Sequence, residues 1–244
     1  MIKQWFDINL AGLIKQSLVD YPGEVAAVLF TRGCNLFCPF CHNHHLVVKT
    51  SHPQPESIPP QMVLEFLAKR HGFLDGVVIT GGEPTINAEL PHFIALIKQM
   101  GYLIKLDTNG TNPLMLQELL RQQLVDYVAM DIKAPLEYKK YLLAVGKLKT
   151  EDFLNIKSSI ILLKSATIKT EFRTTVVPYL HTSDDIESIA MFLAGCQLYS
   201  LQQFNPTSTL DTSFGAIVPY NREQMQELAD RCAKYVKEVR ILNL

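Results

Sequence analysis

Cys34, Cys38 and Cys41 stand in a C-x3-C-x2-C run inside TRGCNLFCPFCHN, residues 31–43. Thiolates this close in sequence can converge on one metal centre. Three is one fewer than a closed structural zinc site takes. It suits a 4Fe-4S cluster held by cysteine thiolates with one iron left without a protein ligand. Such an iron can bind a small molecule through an amine and a carboxylate. The alternative is three buried cysteines acting as small core hydrophobes. Three within eight residues, in a loop that also carries Gly33, Asn35 and Pro39, is not a packing pattern. Clustered cysteines in a chain without disulfide features point to metal binding or catalysis.

With aromatic Phe40 before the last cysteine, the run resembles the signature of the radical S-adenosylmethionine (SAM) enzymes. The resemblance implies that the open iron chelates SAM through its amino and carboxylate groups. It implies that the reduced cluster cleaves SAM to methionine and a 5'-deoxyadenosyl radical, which abstracts a hydrogen atom. The trailing His42-Asn43 is similar to the CHN of one subgroup, the activases of glycyl radical enzymes. Phe40 and Asn43 are carried over as residues next to SAM.

The elements that must position this loop follow from composition and periodicity. The 244 residues are 48% hydrophobic and 19% charged, enough for a sizeable core. We expect one domain over 1–244: an N-terminal hairpin or extension (1–23), a core (24–205), and a C-terminal helix and strand (206–244). Lys and Arg number 23 against 24 Asp and Glu, so nothing supports a broad nucleic-acid footprint. No signal-peptide pattern follows Met1 and no apolar run is long enough to span a bilayer, so a cytoplasmic protein without a membrane partner is expected.

Residues 8–23 read as a hairpin or edge strand ending in the turn Asp20-Tyr21-Pro22-Gly23. Glu24–Phe30 is a short apolar run of the kind that forms a buried strand. Residues 50–60 read as a surface loop. Helices are expected at 58–70, 89–100, 113–123, 152–164, 183–193 (Ser183 as N-cap) and 222–236. Strands are expected at 76–80, 102–106, 127–132, 169–177, 199–204 and 238–242. Six βα units imply a parallel sheet with helices outside. The pattern alone allows a doubly wound open sheet or a partial barrel. The family resemblance selects the partial (β/α)6 TIM-like barrel of the radical SAM type, an α/β fold. In either, ligands sit at the C-terminal ends of strands.

Four further motifs fall at such ends. Gly81-Gly82-Glu83-Pro84 reads as a tight βα turn, or as a place where backbone approaches a ligand closely. The resemblance implies that it binds the SAM amino group. In Asp107-Thr108-Asn109-Gly110, Asp or Thr could cap the next helix. The resemblance implies that Asp107 and Thr108 lie near the SAM carboxylate, with a monovalent cation in that region. Asp131 and Lys133 alternate onto one side of a strand. They read as a solvated pair or, by resemblance, as the Asp-x-Lys whose lysine meets the SAM carboxylate. Arg173 reads as an outward strand residue or, by its likeness to an R-x-x-V-V-P segment, as a group near SAM. Asn205 falls where some activases carry a histidine. His42, His44 and His45 are not needed as iron ligands, and Cys196 and Cys232 read as core residues.

The resemblance implies an enzyme that abstracts hydrogen from a glycine Cα of a partner. GLIKQSLVDYPG, AAVLFTRGCN, CHN and LQQFNP are most similar to activating proteins of the anaerobic ribonucleoside-triphosphate reductases, over most of residues 10–205. Expected partners are that glycyl radical enzyme and a low-potential electron donor such as flavodoxin or ferredoxin. The alternatives are an activase of a pyruvate formate-lyase-like enzyme, a radical SAM enzyme acting on a small molecule or RNA, and a non-catalytic iron-sulfur module.

Overall fold

A computed structural model of the protein describes residues 8–47 and 56–244. Most of the loop expected at 50–60 and the first seven residues of the N-terminal extension lie outside them. Eight strands follow chain order in one sheet: β1 (Leu10–Ser17), β2 (Ala26–Thr31), β3 (Gly76–Gly81), β4 (Leu103–Thr108), β5 (Tyr127–Asp131), β6 (Lys169–Val176), β7 (Leu198–Gln203) and β8 (Val239–Leu242). β1 is antiparallel to β2. The pairs β2–β3, β3–β4, β6–β7 and β7–β8 are parallel. The helices are α1 (His44–Val47), α2 (Pro60–Ala68), α3 (Leu90–Gln99), α4 (Pro113–Arg121), α5 (Tyr138–Val145), α6 (Thr150–Lys164), α7 (Ser183–Phe192) and α8 (Arg222–Cys232). No helix among the described residues is long and apolar enough to cross a membrane.

The chain divides into two compact units. The first comprises Met1–Cys34, His45–Thr108 and Leu114–Val128; the second comprises Asn35–His44, Asn109–Pro113 and Ala129–Leu244. In the first, β2 (AAVLFT) and β3 (GVVITG) are largely apolar because a parallel sheet is buried on both faces. Val28, Leu29, Val77 and Ile79 are buried with Val63 and Leu67 of α2 and Phe93 and Ile97 of α3. Asp126 accepts from the Lys98 ammonium (2.8 Å) and from the Ile104 N–H (2.7 Å), fastening α3 to the start of β4.

In the second unit the core is aromatic: Tyr141, Phe153, Phe172, Tyr199 and Phe204 are buried. Buried hydroxyls must find partners. Tyr199 donates to Thr174 Oγ1 (2.8 Å), which donates to the Ile132 carbonyl (2.9 Å). Several details differ from the sequence expectation, the short α1 among them. Helix α5 was not expected; its buried face is Tyr141, Ala144 and Val145, and the apolar Leu142 and exposed Leu143 between them blur the period. The cap of α7 is Thr182, not Ser183. Thr182 Oγ1 accepts from the Asp185 N–H while Asp185 accepts from the Thr182 N–H, a reciprocal capping box.

Beyond β6 the chain turns sharply. The Leu180 N–H donates to the Val177 carbonyl (3.2 Å), Pro178 fixes the second position, and Tyr179 has φ 73°. That is a type II turn, whose third position favours glycine. Tyr179 is 89% exposed, so its side chain gains little packing to offset the left-handed strain. Tyr179→Gly should therefore raise stability by about 1 kcal/mol once glycine's own entropy cost is subtracted. The readout is a higher urea midpoint at unchanged slope.

Candidate active site

In the first unit, the chain entering Cys34 is held by main-chain bonds. The Arg32 N–H donates to the Asn9 carbonyl (2.8 Å), and the Gly33 N–H to the Leu46 carbonyl (2.8 Å). The end of β3 lies directly on this segment. The Gly82 N–H donates to the Thr31 carbonyl (3.0 Å) and the Glu83 N–H to the Gly33 carbonyl (2.8 Å). A Cβ on Gly82 would stand 1.9 Å from Gly33 O, and one on Gly81 2.4 Å from the Thr31 backbone. Both glycines are needed because protein backbone fills the space a side chain would take. Glu83 is fully buried and caps the short 3-10 turn Pro84–Ile86. One carboxylate oxygen accepts from the Thr85 N–H (3.1 Å), the Thr85 hydroxyl (2.6 Å) and the Thr108 hydroxyl at the end of β4 (2.7 Å). Asp107 pairs with Lys105, a buried lysine whose ammonium also lies 5.8 Å from the Tyr127 ring centre. Lys105 was not expected at the site; a lysine two residues before an aspartate on one strand was the available signal.

In the second unit, the loop carrying Cys38 and Cys41 has no regular structure and borrows its shape. The Cys41 N–H closes a tight turn on the Cys38 carbonyl (3.0 Å). The Phe37 N–H donates to the Val145 carbonyl at the end of α5 (2.9 Å), and the Asp211 N–H to the Pro39 carbonyl (2.9 Å). Phe40 is buried. Asn35, Asn109 and Thr111 form a closed polar triangle. Asn35 Nδ2 donates to Thr111 Oγ1 (2.8 Å), Thr111 Oγ1 to Asn109 Oδ1 (2.7 Å), and Asn109 Nδ2 to Asn35 Oδ1 (3.0 Å). Helix α6 holds the same loop, with Ser159 donating to the Gly110 carbonyl (2.7 Å) and Asn155 to that of Thr111 (3.1 Å).

At the end of β5, Asp131 lies between two cations. It accepts from Lys133 Nζ (2.9 Å) and from Arg173 Nε of β6 (2.9 Å). Burial opposes ionisation of Asp131, but Arg173 and Lys133 outweigh it and hold its carboxyl well below the usual carboxylate range. Burial likewise opposes charge on Lys133. Asp131, Cys38 and Cys41 reverse that, and the ammonium is held above its ordinary value. Burial pushes the Cys41 thiol up, while Lys133 and a backbone bond from Asn43 pull it down. Lys133 itself is pinned at both ends of its peptide. Its N–H donates to Tyr141 Oη (3.2 Å), and its carbonyl is 2.9 Å from His181 Nε2. The Val177 N–H donates to His181 Nδ1 (2.9 Å).

Asn205 follows β7 and accepts from the N–H and hydroxyl of Thr207 (3.0 and 2.8 Å). It lines a cavity of about 430 Å3 with His42, Thr175, Gln202, Gln203 and Phe204. The His42 and Phe204 ring centres are 6.4 Å apart. Thus the second unit gathers Cys38, Cys41, Asp131, Lys133 and Arg173. The first gathers Gly81, Gly82, Glu83 and Thr108 around the backbone before Cys34. Tyr141, His181, Asn35 and Thr111 carry the site without having been read from sequence. Among the described residues, no group of three or more His, Cys, Asp or Glu side chains forms a single-ion site. A multi-iron cluster makes a different demand, since its cysteines ligate separate irons. Burial leaves the Cys41 thiol raised overall, with the Lys133 ammonium offsetting part of that cost; two thiols beside a fixed cation fit such a donor set.

Two outcomes follow. Gly82→Ala should destabilise the fold by about 2 kcal/mol, because a backbone carbonyl rather than a movable side chain opposes the new methyl; chemical denaturation measures it. Burial lowers the proton affinity of His181 below the usual histidine value. The unfolded chain then takes this proton at higher pH than the native protein does. Stability is full above about pH 6.5 and declines as pH falls through the window below it. Thermal melts from about pH 7.5 to about 5.5 should show a shallower decline in His181→Gln than in the parent.

Comparison with known proteins identifies the family. Residues 28–193 match the Radical SAM superfamily. A Methanocaldococcus jannaschii protein, whose name provisionally assigns it to glycyl-radical enzyme activation, is 35% identical over 237 residues, covering 94% of each chain. The pyruvate formate-lyase-activating enzyme of Staphylococcus aureus is 31% identical over 185 residues, covering 72% of this chain and 71% of its own. A radical SAM methyltransferase from Sphaerobacter thermophilus superposes with a TM-score of 0.67 at 16% identity, covering 91% of this chain and 67% of that one. This last likeness shows the fold, the partial-barrel type expected from the sequence. A 4Fe-4S cluster and SAM are the cofactors that go with the family. The chain belongs to the radical SAM superfamily and, within it, to the family of glycyl-radical enzyme activating enzymes.

Proposed function

We propose that this enzyme activates an anaerobic ribonucleotide reductase-like glycyl radical enzyme, in the cytoplasm, with an electron from a low-potential carrier such as flavodoxin or ferredoxin. The observation that carries the reading is the Asp131–Lys133–Arg173 group beside Cys38 and Cys41. Two cations share one carboxylate, so the group keeps a net positive charge next to the thiols. A zwitterionic amino acid needs such a point for its carboxylate.

Cys34, Cys38 and Cys41 are the residues that would hold the cluster. Cluster and SAM together supply the hard chemistry: one electron breaks a sulfonium carbon–sulfur bond, and a hydrogen atom is taken from the partner's glycine Cα. Lys133 and Arg173 orient the SAM carboxylate, with Asp131 fixing both. Gly81, Gly82 and Glu83 present backbone to the SAM ammonium. Asp107 and Thr108 flank the carboxylate, with a monovalent cation nearby. Phe40, Asn43 and Asn205 adjoin SAM, and Asn205 lines one cavity with His42 and Phe204. A second partner, a pyruvate formate-lyase-like enzyme, is supported by the similarity to the Staphylococcus activase.

The test is anaerobic reconstitution, reduction, and addition of SAM with each candidate partner. The expected result is a glycyl doublet in electron paramagnetic resonance with the reductase. SAM cleavage with no doublet on either partner would reject the activase reading in favour of a small-molecule or RNA substrate. Cys38→Ala should abolish the cluster's absorption. Cys232→Ala, at a buried position on α8, should keep it.

A further inference from the structure

His181 has no part in the chemistry above, yet it joins two strand ends of the second unit. It is 1% exposed. Its Nδ1 faces an N–H, that of Val177, and must be an acceptor; its Nε2 faces a carbonyl, that of Lys133, and must be the donor. The backbone alone therefore fixes one neutral tautomer. The ring bridges the residue just after β6, the strand of Arg173, to the residue two beyond the end of β5, the strand of Asp131. Tyr141, fully buried on α5, accepts from the Lys133 N–H on the other side of that peptide. The Tyr220 hydroxyl donates to the His181 carbonyl (3.0 Å), so the clamp is itself braced from the segment before α8.

A lysine side chain has four rotatable bonds, and its ammonium can be placed only as well as its Cα. Asp131 holds the charged tip and the clamp holds the root. We infer that His181 is a positioning residue, fixing the Lys133 main chain so that the ammonium meets the SAM carboxylate beside Cys38 and Cys41. The inference rests on the proposed role of Lys133. It assigns His181 no contact with SAM and no proton transfer. Its content is a requirement for one acceptor and one donor at fixed separation, which glutamine can imitate and alanine cannot.

The experiment uses the reconstituted, reduced enzyme. SAM is titrated while the cluster's electron paramagnetic resonance spectrum reports binding, and hydrogen exchange is followed at Val177 and Lys133. His181→Ala should weaken SAM binding about tenfold, the size of one charge-assisted hydrogen bond lost, with faster exchange at both amides. His181→Gln should return affinity to within about threefold of the parent. If His181→Ala fails to take up a cluster, Tyr141→Phe removes the other contact while keeping the ring, and should weaken binding in the same direction. Faster exchange in His181→Ala with unchanged SAM affinity would overturn the inference, leaving a purely structural bridge. Lys133→Ala with parental affinity would overturn the role of Lys133 and the clamp's purpose together. A parent enzyme whose spectrum ignores SAM would reject the proposed function itself.

Discussion

Main chain resting on main chain, with no room for a β-carbon, is the constraint on which the rest depends. The cysteine loop has no helix or strand of its own. Its entry is defined by the Gly33 carbonyl receiving the Glu83 N–H, and that contact exists only because residue 82 is glycine. Glu83 then ties the same turn to Thr108. In the second unit a comparable task falls to side-chain amides. Asn35 is locked to Asn109 and Thr111, and Gly110 turns the chain at φ 76°, a conformation that favours glycine. A loop that must present reactive sulfurs is thus given rigidity by its neighbours rather than by its own hydrogen-bond ladder.

Charge in the second unit is arranged with similar economy. One carboxylate, Asp131, serves two cations on adjacent parts of the structure. Burying three ionised groups is tolerable only when each is paired. The arrangement leaves an excess positive charge, which steadies thiolates as well as any anionic ligand. Replacing Asp131 would strand Lys133 and Arg173 against each other, so the aspartate is a placement device before it is anything else.

How much of this was legible in the sequence depends on the range of the interaction. The strands were readable because AAVLF and GVVIT are buried on both faces and need no distant information. Cysteine spacing, GGEP and Asp-x-Lys were readable for the same reason: their meaning is local. The glycines of GGEP could be read as a turn or as a ligand approach, and only the structure shows that backbone occupies the vacated space. Helix α5 was hidden because an exposed Leu143 blurs the spacing of its buried Tyr141, Ala144 and Val145. His181, Tyr141, Asn35 and Thr111 were not legible at all. His181 and Asn35 act through partners far away in the chain, as Asn35 does with Thr111, 76 residues on, while Tyr141 meets Lys133 across an unread helix, and no periodicity announces such pairings.

Cys196 and Cys232 carry a consequence of their own. Burial pushes their thiols up to about 11 and about 12, so at neutral pH almost none of either is thiolate. An electrophile offered to the folded polypeptide at neutral pH would find those two inert. Alkylation of these two sulfurs then becomes a gauge of unfolding, since only loss of their buried surroundings returns them to the ordinary thiol range.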